Sequence, residues 1–186
     1  MSGSASHGGS ERRRINIIQG EAVVDNRPDV VLTTLLGSCV AACIRDPEAG
    51  VGGMNHFLLP GEAAVDRAGR TQSYGLYLME LLINGLLKKG ARRHALEAKL
   101  FGGARTMEGL SDIGAKNVEF ATRFLATEGI PLKGGSTGGL QGRRIEFWPV
   151  NGRARQILIE PADRRAFVRP PVAVPKVESG GELELF

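Results

Sequence analysis

Two side chains in this sequence have the types and the spacing to do chemistry together, Cys39 and His56. Cys39 follows Gly37-Ser38 and precedes the apolar run Val40 to Ile44. His56 lies in a second run, Val51 to Leu59, ended by Pro60. Between the runs, Asp46-Pro47-Glu48-Ala49-Gly50 has turn composition, so the whole reads as a β-hairpin. A symmetric hairpin that sets Cys39 opposite His56 centres its turn between Pro47 and Glu48. Directly opposed residues share a face, with Cβ atoms about 4.5–5.5 Å apart. A slip of one residue would send one of the two to the other face.

A thiol beside an imidazole suggests nucleophilic catalysis. A free thiol titrates near ~8.5, so little of it is the nucleophilic thiolate at neutral pH. A neighbouring histidine accepts the proton, forms an imidazolium that holds the thiolate, and later returns the proton to a leaving amine. Gly37-Ser38 lets the backbone turn sharply and brings amide N–H groups toward the sulfur, where a developing oxyanion needs them. A third group should fix the imidazole tautomer. Thr33, six residues before Cys39, is the expected one, and Thr34 is its rival. The competing reading is structural, since free cysteine is among the most buried residue types. Cys43, in the middle of the apolar run, is assigned to packing. A Cys39–Cys43 disulfide is excluded, because four residues along a strand span about 13 Å against a limit of ~7 Å between Cα atoms. Two cysteines and a histidine at these spacings match no zinc-finger pattern, and no cofactor is expected. His7, in a polar leader, and His94, in a charged loop, are given no catalytic role.

The elements that must position this pair are short strands and two helices. Ile15–Ile18 and Glu21–Val24 read as strands, and Val30–Leu36, rich in β-branched residues, as a buried one. Helical spacing runs from about Thr71 to Lys89, with Thr71 or Ser73 as N-cap and Gly90 as stop. It recurs from about Ser111 to Glu128, ended by Gly129. Ala95–Phe101 reads as a strand entering a Gly102-Gly103 turn. Arg144–Trp148 and Arg155–Ile159 alternate around Asn151-Gly152, a strong hairpin signal. Gly134-Gly135-Ser136-Thr137-Gly138-Gly139 matches no phosphate-binding loop and reads as tight turns, or as a place where a partner backbone comes close. The organisation is a flexible tail at 1–12, one α+β domain at 13–160, and a weakly ordered tail at 161–186.

The 186 residues suffice for a core without disulfide staples. Apolar residues at 42% and charged residues at 24% are near globular averages, which excludes wholesale disorder. The net charge of +4 is scattered and aromatics are only 5%, so a nucleic-acid platform is not indicated. No apolar stretch is long enough to span a membrane, and the polar leader lacks the apolar core of a secretory signal. With two cysteines and no export signal, the expected compartment is the reducing cytoplasm.

Four segments carry a resemblance: Leu36-Gly-Ser-Cys-Val40, Gly52-Gly-Met-Asn-His56 with Leu59-Pro60, Phe101-Gly-Gly-Ala104, and Gly138-Gly139 followed by Gly142-Arg143. From about residue 15 to 160 the chain resembles the chemoreceptor glutamine deamidase family, CheD. The resemblance implies Cys39 as nucleophile, His56 as base and Thr33 as the third member of a Cys-His-Thr triad. Many members have a glycine two residues after the triad threonine, where this chain has Leu35. The implied fold is a layered α/β/β sandwich of mixed sheets with two main helices, related to the catalytic domain of cytotoxic necrotizing factors. The implied activity is a protein-glutamine glutaminase that converts glutamines of methyl-accepting chemotaxis receptors to glutamate through a thioester, with glutamyl methyl esters as further substrates. A CheC-type phosphatase is the implied regulatory partner, and the glycine-rich segments near 102 and 134–139 are the expected docking surface. The rival function is a non-catalytic chemotaxis module that binds such a phosphatase.

Overall fold

The computed structural model describes residues 12–59, 70–105 and 112–159, except the side chains of 70–73. The expected tails, Arg12 apart, lie outside those residues. The N-cap expected at Thr71 or Ser73 is corrected, because the helix already begins at Arg70 and both residues fall within it. In chain order the elements are β1 (Arg13–Asn16), β2 (Ala22–Asp25), β3 (Val30–Leu36), β4 (Val40–Asp46), β5 (Val51–Asn55), α1 (Arg70–Lys88), β6 (Glu97–Gly102), α2 (Ile113–Thr127), β7 (Leu132–Thr137), β8 (Arg143–Phe147) and β9 (Ala154–Leu158).

The strands form two mixed sheets. One has the order β1-β3-β8-β9, with β1 parallel to β3; the other has the order β2-β5-β4-β6-β7, with β6 parallel to β7. Strand β4 shows why the layers stack as they do. It is apolar on both faces, so each face must be covered. Val40, Ala42 and Ile44 enter the core under α1 and α2, beside Leu78, Leu82, Phe120 and Phe124. Ala41 and Cys43 enter the second core, between the sheets, with Leu32, Leu36, Ile145 and Phe147. The result is the expected α/β/β layering.

The helices form where the apolar spacing places them. Leu78, Leu82 and Leu86 fall on the buried stripe of α1, and Gly90 follows it with φ of +96°. Helix α2 is capped by Asp112, whose side chain accepts from the Ala115 N–H at 2.9 Å. Its Phe120 packs edge-to-face on Phe57, with ring centroids 5.8 Å apart.

Two elements depart from the sequence reading: β1 spans Arg13–Asn16 rather than Ile15–Ile18, and β7 forms where turns were expected. Residues 132–137, Leu-Lys-Gly-Gly-Ser-Thr, form the edge strand β7, where the pattern suggested only turns. The close backbone approach anticipated there is internal. A Cβ at Gly135 would lie 1.9 Å from the Leu100 carbonyl oxygen on β6. Strand β7 carries no apolar alternation because it is exposed nearly throughout, so periodicity could not reveal it.

Candidate functional site

The hairpin β4–β5 has a register two residues away from the expected one. Asp46 pairs with Val51 and Cys43 with Met54, so the turn centre falls between Glu48 and Ala49. The turn is four residues long, closed by Gly50 N–H on the Asp46 carbonyl, and stapled by the Asp46 carboxylate accepting from the Glu48 and Ala49 N–H groups. Past Asn55 the same register resumes at Val40 and Phe57, which exchange backbone hydrogen bonds at 3.0 and 2.9 Å. Ala41, not Cys39, therefore stands across from His56. A shift of two preserves the face, so Cys39 is the diagonal neighbour of His56 on the side toward the other sheet.

The third group is also displaced by one residue from the expectation. Thr34 Oγ1 lies 2.9 Å from His56 Nδ1, whereas the Thr33 hydroxyl makes no hydrogen bond among the described residues. Strand β3 explains this by its period of two. Thr34 faces the second sheet, so its neighbour Thr33 faces the opposite side. The same hydroxyl lies 2.7 Å from the Ile17 carbonyl oxygen. A carbonyl only accepts, so the Thr34 proton points at Ile17 and His56 donates its Nδ1–H to Thr34. That fixes the tautomer and leaves the lone pair on Nε2, which is buried with no hydrogen-bond partner.

Burial acts on both groups toward the neutral form. Burial pushes the half-buried Cys39 thiol up to about 11, against a smaller opposite effect from its own backbone N–H. Burial pushes His56 below the ordinary histidine value, partly opposed by the Ile17 carbonyl and Glu21. Burial thus disfavours the thiolate and the imidazolium alike. The Cys39 thiol lies 3.8 Å from Gln19 Oε1. Cys43 is sealed in the core between the sheets, as expected, and burial raises its thiol well above the usual range.

The Gly37-Ser38-Cys39 segment is held from two sides. The Phe101-Gly-Gly-Ala104 motif supplies one: Gly103 N–H donates to the Cys39 carbonyl at 2.7 Å, and Ala104 N–H to the Gly37 carbonyl at 2.9 Å. Only glycine fits at position 102, where φ is +106° and a Cβ would stand 2.1 Å from the Cys39 carbonyl oxygen. Asn117 of α2 supplies the other. Its Nδ2 donates to the Ser38 carbonyl and its Oδ1 accepts from the Leu59 N–H, both at 2.8 Å. Asn117 is fully buried and sequence reading missed it. The available signal was a single amide in the apolar stripe of α2, in phase with Phe120, Ala121 and Phe124.

Beside the Gly102-Gly103 turn, a cleft of about 520 Å³ opens between α2 and the end of β7, lined by Gly103, Glu119, Gly138 and Leu140 among others. Buried Arg143 organises its glycine wall by donating to the Ser136 and Gly138 carbonyls. Among the described residues no group of acidic, histidine and cysteine side chains has the arrangement of a metal site, and no helix is long and apolar enough to cross a membrane.

A thiol and an oriented imidazole on one face of a sheet, in a layered α/β/β sandwich, define the class: an α+β protein with a candidate cysteine–histidine site. The chain belongs to the CheD family. Its segment 58–157 matches the family described as CheD chemotactic sensory transduction. That segment begins just after His56, so the match covers the supports Gly102, Gly103 and Asn117 but not the thiol or the imidazole. Proteins named "Probable chemoreceptor glutamine deamidase CheD" align along nearly the whole chain. The one from Agrobacterium fabrum is 59% identical over 177 residues, covering 94% of this chain and 97% of its own. The one from Caulobacter sp. (strain K31) is 56% identical over 174 residues, covering 93% of each. Among solved structures, Bacillus licheniformis hypothetical protein YfiH has a TM-score of 0.40 at 14% identity, covering 64% of this chain and 49% of its own.

Proposed function

We propose that this protein deamidates glutamine side chains of methyl-accepting chemoreceptors, with Cys39 as nucleophile, His56 as proton carrier and Thr34 as the group that orients the imidazole. The observation that carries this reading is the Thr34–His56 hydrogen bond, which leaves an unpartnered Nε2 on the face that Cys39 shares. The activity class and the receptor substrate follow from the names of the relatives, which align with more than nine-tenths of the chain.

The chemistry proceeds from a neutral pair. As Cys39 Sγ approaches the substrate carboxamide carbon, its proton moves to His56 Nε2, so no ion pair has to exist beforehand in this dry site. The developing oxyanion is met by backbone N–H groups of the Cys39 segment, held in place by the Phe101-Gly-Gly-Ala104 turn and Asn117. His56 gives the proton to the departing ammonia, leaving a thioester. Water, deprotonated by His56, cleaves it and restores the thiol. The net change is glutamine plus water to glutamate plus ammonia. A glutamyl methyl ester passes through the same thioester with methanol as leaving group. The new carboxylate adds negative charge to the receptor's helical bundle and alters packing between charged faces. Such a substrate places the protein's work in the cytoplasm. The cleft beside Gly103 and Gly138 is the proposed docking surface for protein partners, a CheC-type phosphatase included.

The test is mass spectrometry of a receptor cytoplasmic fragment incubated with the protein, reading conversion of amide to acid. Wild type converts specific glutamines, Cys39→Ala converts none while keeping its circular dichroism, and Cys43→Ala works within about twofold of wild type, its sulfur being confined to the core. Conversion by Cys39→Ala would end the proposal.

A further inference from the structure

The Cys39 thiol hydrogen-bonds a carboxamide of the chain itself. Gln19 sits in the Gln19-Gly20 turn between β1 and β2, and the Cys39 thiol donates to its Oε1 at 3.8 Å. The turn is built rather than loose. Ile17 is buried in the core between the sheets, and its N–H donates to the Thr33 carbonyl at 2.8 Å. Gly20 N–H donates to the His56 carbonyl at 2.8 Å, and His56 N–H to the Glu21 carbonyl at 3.0 Å. The Glu21 carboxylate accepts from the Ile18 N–H at 3.0 Å. Bonds on both sides of Gln19 thus fix its backbone to Thr33 of β3 and to His56 just past β5, while Gln19 itself remains exposed beside the sulfur.

We propose that Gln19 is an intramolecular cap on Cys39: its carboxamide stands in the resting protein where the substrate carboxamide must arrive, and it swings away when substrate binds. The inference rests on the reading of Cys39 as nucleophile. The cap carries the functional group that the reaction consumes, so it satisfies the same thiol in the same way. Being tethered, it competes at a local concentration that no free side chain matches. Because Oε1 only accepts, it favours the protonated thiol, and an ionised sulfur would repel it. The resting nucleophile is thereby kept neutral and screened, and uncapping is coupled to substrate arrival.

The experiment measures the iodoacetamide alkylation rate of Cys39 by peptide mass spectrometry in wild type, Gln19→Ala and Gln19→Glu, together with KM and kcat on a receptor cytoplasmic fragment. Buried Cys43 is the internal control for intact folding. A thiol is a weak donor and this contact is exposed, so the cap is worth the low end of a hydrogen bond. Gln19→Ala is therefore expected to alkylate about 2- to 3-fold faster than wild type, with KM lower by a similar factor and kcat unchanged. Gln19→Glu keeps an acceptor and adds charge against the thiolate, so it alkylates more slowly than wild type at neutral pH. Unchanged or slower alkylation of Gln19→Ala would overturn the cap, as would a fall in kcat at constant KM, the mark of an oxyanion donor. Alkylation reads the thiol without turnover, so failure of the cap is distinct from failure of the deamidase reading, which the Cys39→Ala conversion assay decides.

Discussion

Replacing Thr34 by valine removes one oxygen at nearly constant volume, and that oxygen serves two buried partners. Its hydroxyl lies 2.7 Å from the Ile17 carbonyl and 2.9 Å from His56 Nδ1, and Thr34 is 1% exposed. Each group left unsatisfied costs about 1–3 kcal/mol, so the folded state should lose a few kcal/mol, readable as a lower urea midpoint. The kinetic loss comes from a different part of the same bond. His56 becomes cationic during proton transfer, and a hydrogen bond to a charged group is worth about 1.5–3 kcal/mol. The neutral resting imidazole already holds this bond at about 0.5–1.5 kcal/mol, so only the strengthening of about 1–1.5 kcal/mol counts. At 1.36 kcal/mol per decade, kcat/KM should fall by about 5- to 13-fold. Thr34→Ser retains the hydroxyl and should recover most of the rate. Thr33→Val, whose side chain faces the other side of the sheet, should stay within about twofold and about 0.5 kcal/mol of wild type. The assay is initial-rate ammonia release from a receptor fragment at subsaturating concentration, with circular dichroism to confirm folding. A Thr33→Val variant that loses activity while Thr34→Val keeps it would refute the assignment of the orienting hydroxyl.

Other outcomes follow from the supports and from the imidazole. Gly102→Ala places a methyl against the Cys39 carbonyl at a φ of +106°, so it should lower the deamidation rate by at least tenfold, and a rate within twofold of wild type would show that the turn does not hold the nucleophile. Asn117→Ala strands the Ser38 carbonyl and the Leu59 N–H and should cost about 2–4 kcal/mol by urea denaturation; a loss below 0.5 kcal/mol would contradict the described bonds. Because burial lowers His56 below its ordinary value of 6.5, the neutral base persists into more acidic solution, and the acid limb of kcat/KM should lie below pH 6.5. The same depression means that the unfolded chain takes up the His56 proton first as pH falls through 6.5, so this residue lowers stability between that pH and its folded value. A limb above pH 6.5 would remove His56 as the free enzyme's base.

Periodicity encodes where the elements lie, but not which of their residues meet. Val30–Leu36 and the helix expected at Thr71–Lys89 lie where β-branching and apolar spacing place them, within a residue at each end. The shared face of Cys39 and His56 was legible because parity survives a register error, although the pairing itself was displaced by two. The displacement comes from a turn of four residues stapled by Asp46, a choice of loop length that composition alone leaves open. Thr33 and Thr34 are adjacent and chemically identical, and only the facing of β3 between its neighbours decides which reaches the imidazole. Asn117 escaped because its two partners lie 58 and 79 residues away in sequence, and no local pattern reports such contacts.

The sulfur, the imidazole and their orienting hydroxyl all precede residue 57, whereas the turn at 102–104 and Asn117 come from the second half of the chain. During synthesis the ribosome therefore releases the reactive trio well before the parts that shape it. A half-made chain carries Thr34 and His56 together but lacks the turn and the amide that hold the Gly37-Ser38-Cys39 segment. Under the proposed function, the nucleophile's segment gains both of its supports only once the 102–104 turn and α2 are in place.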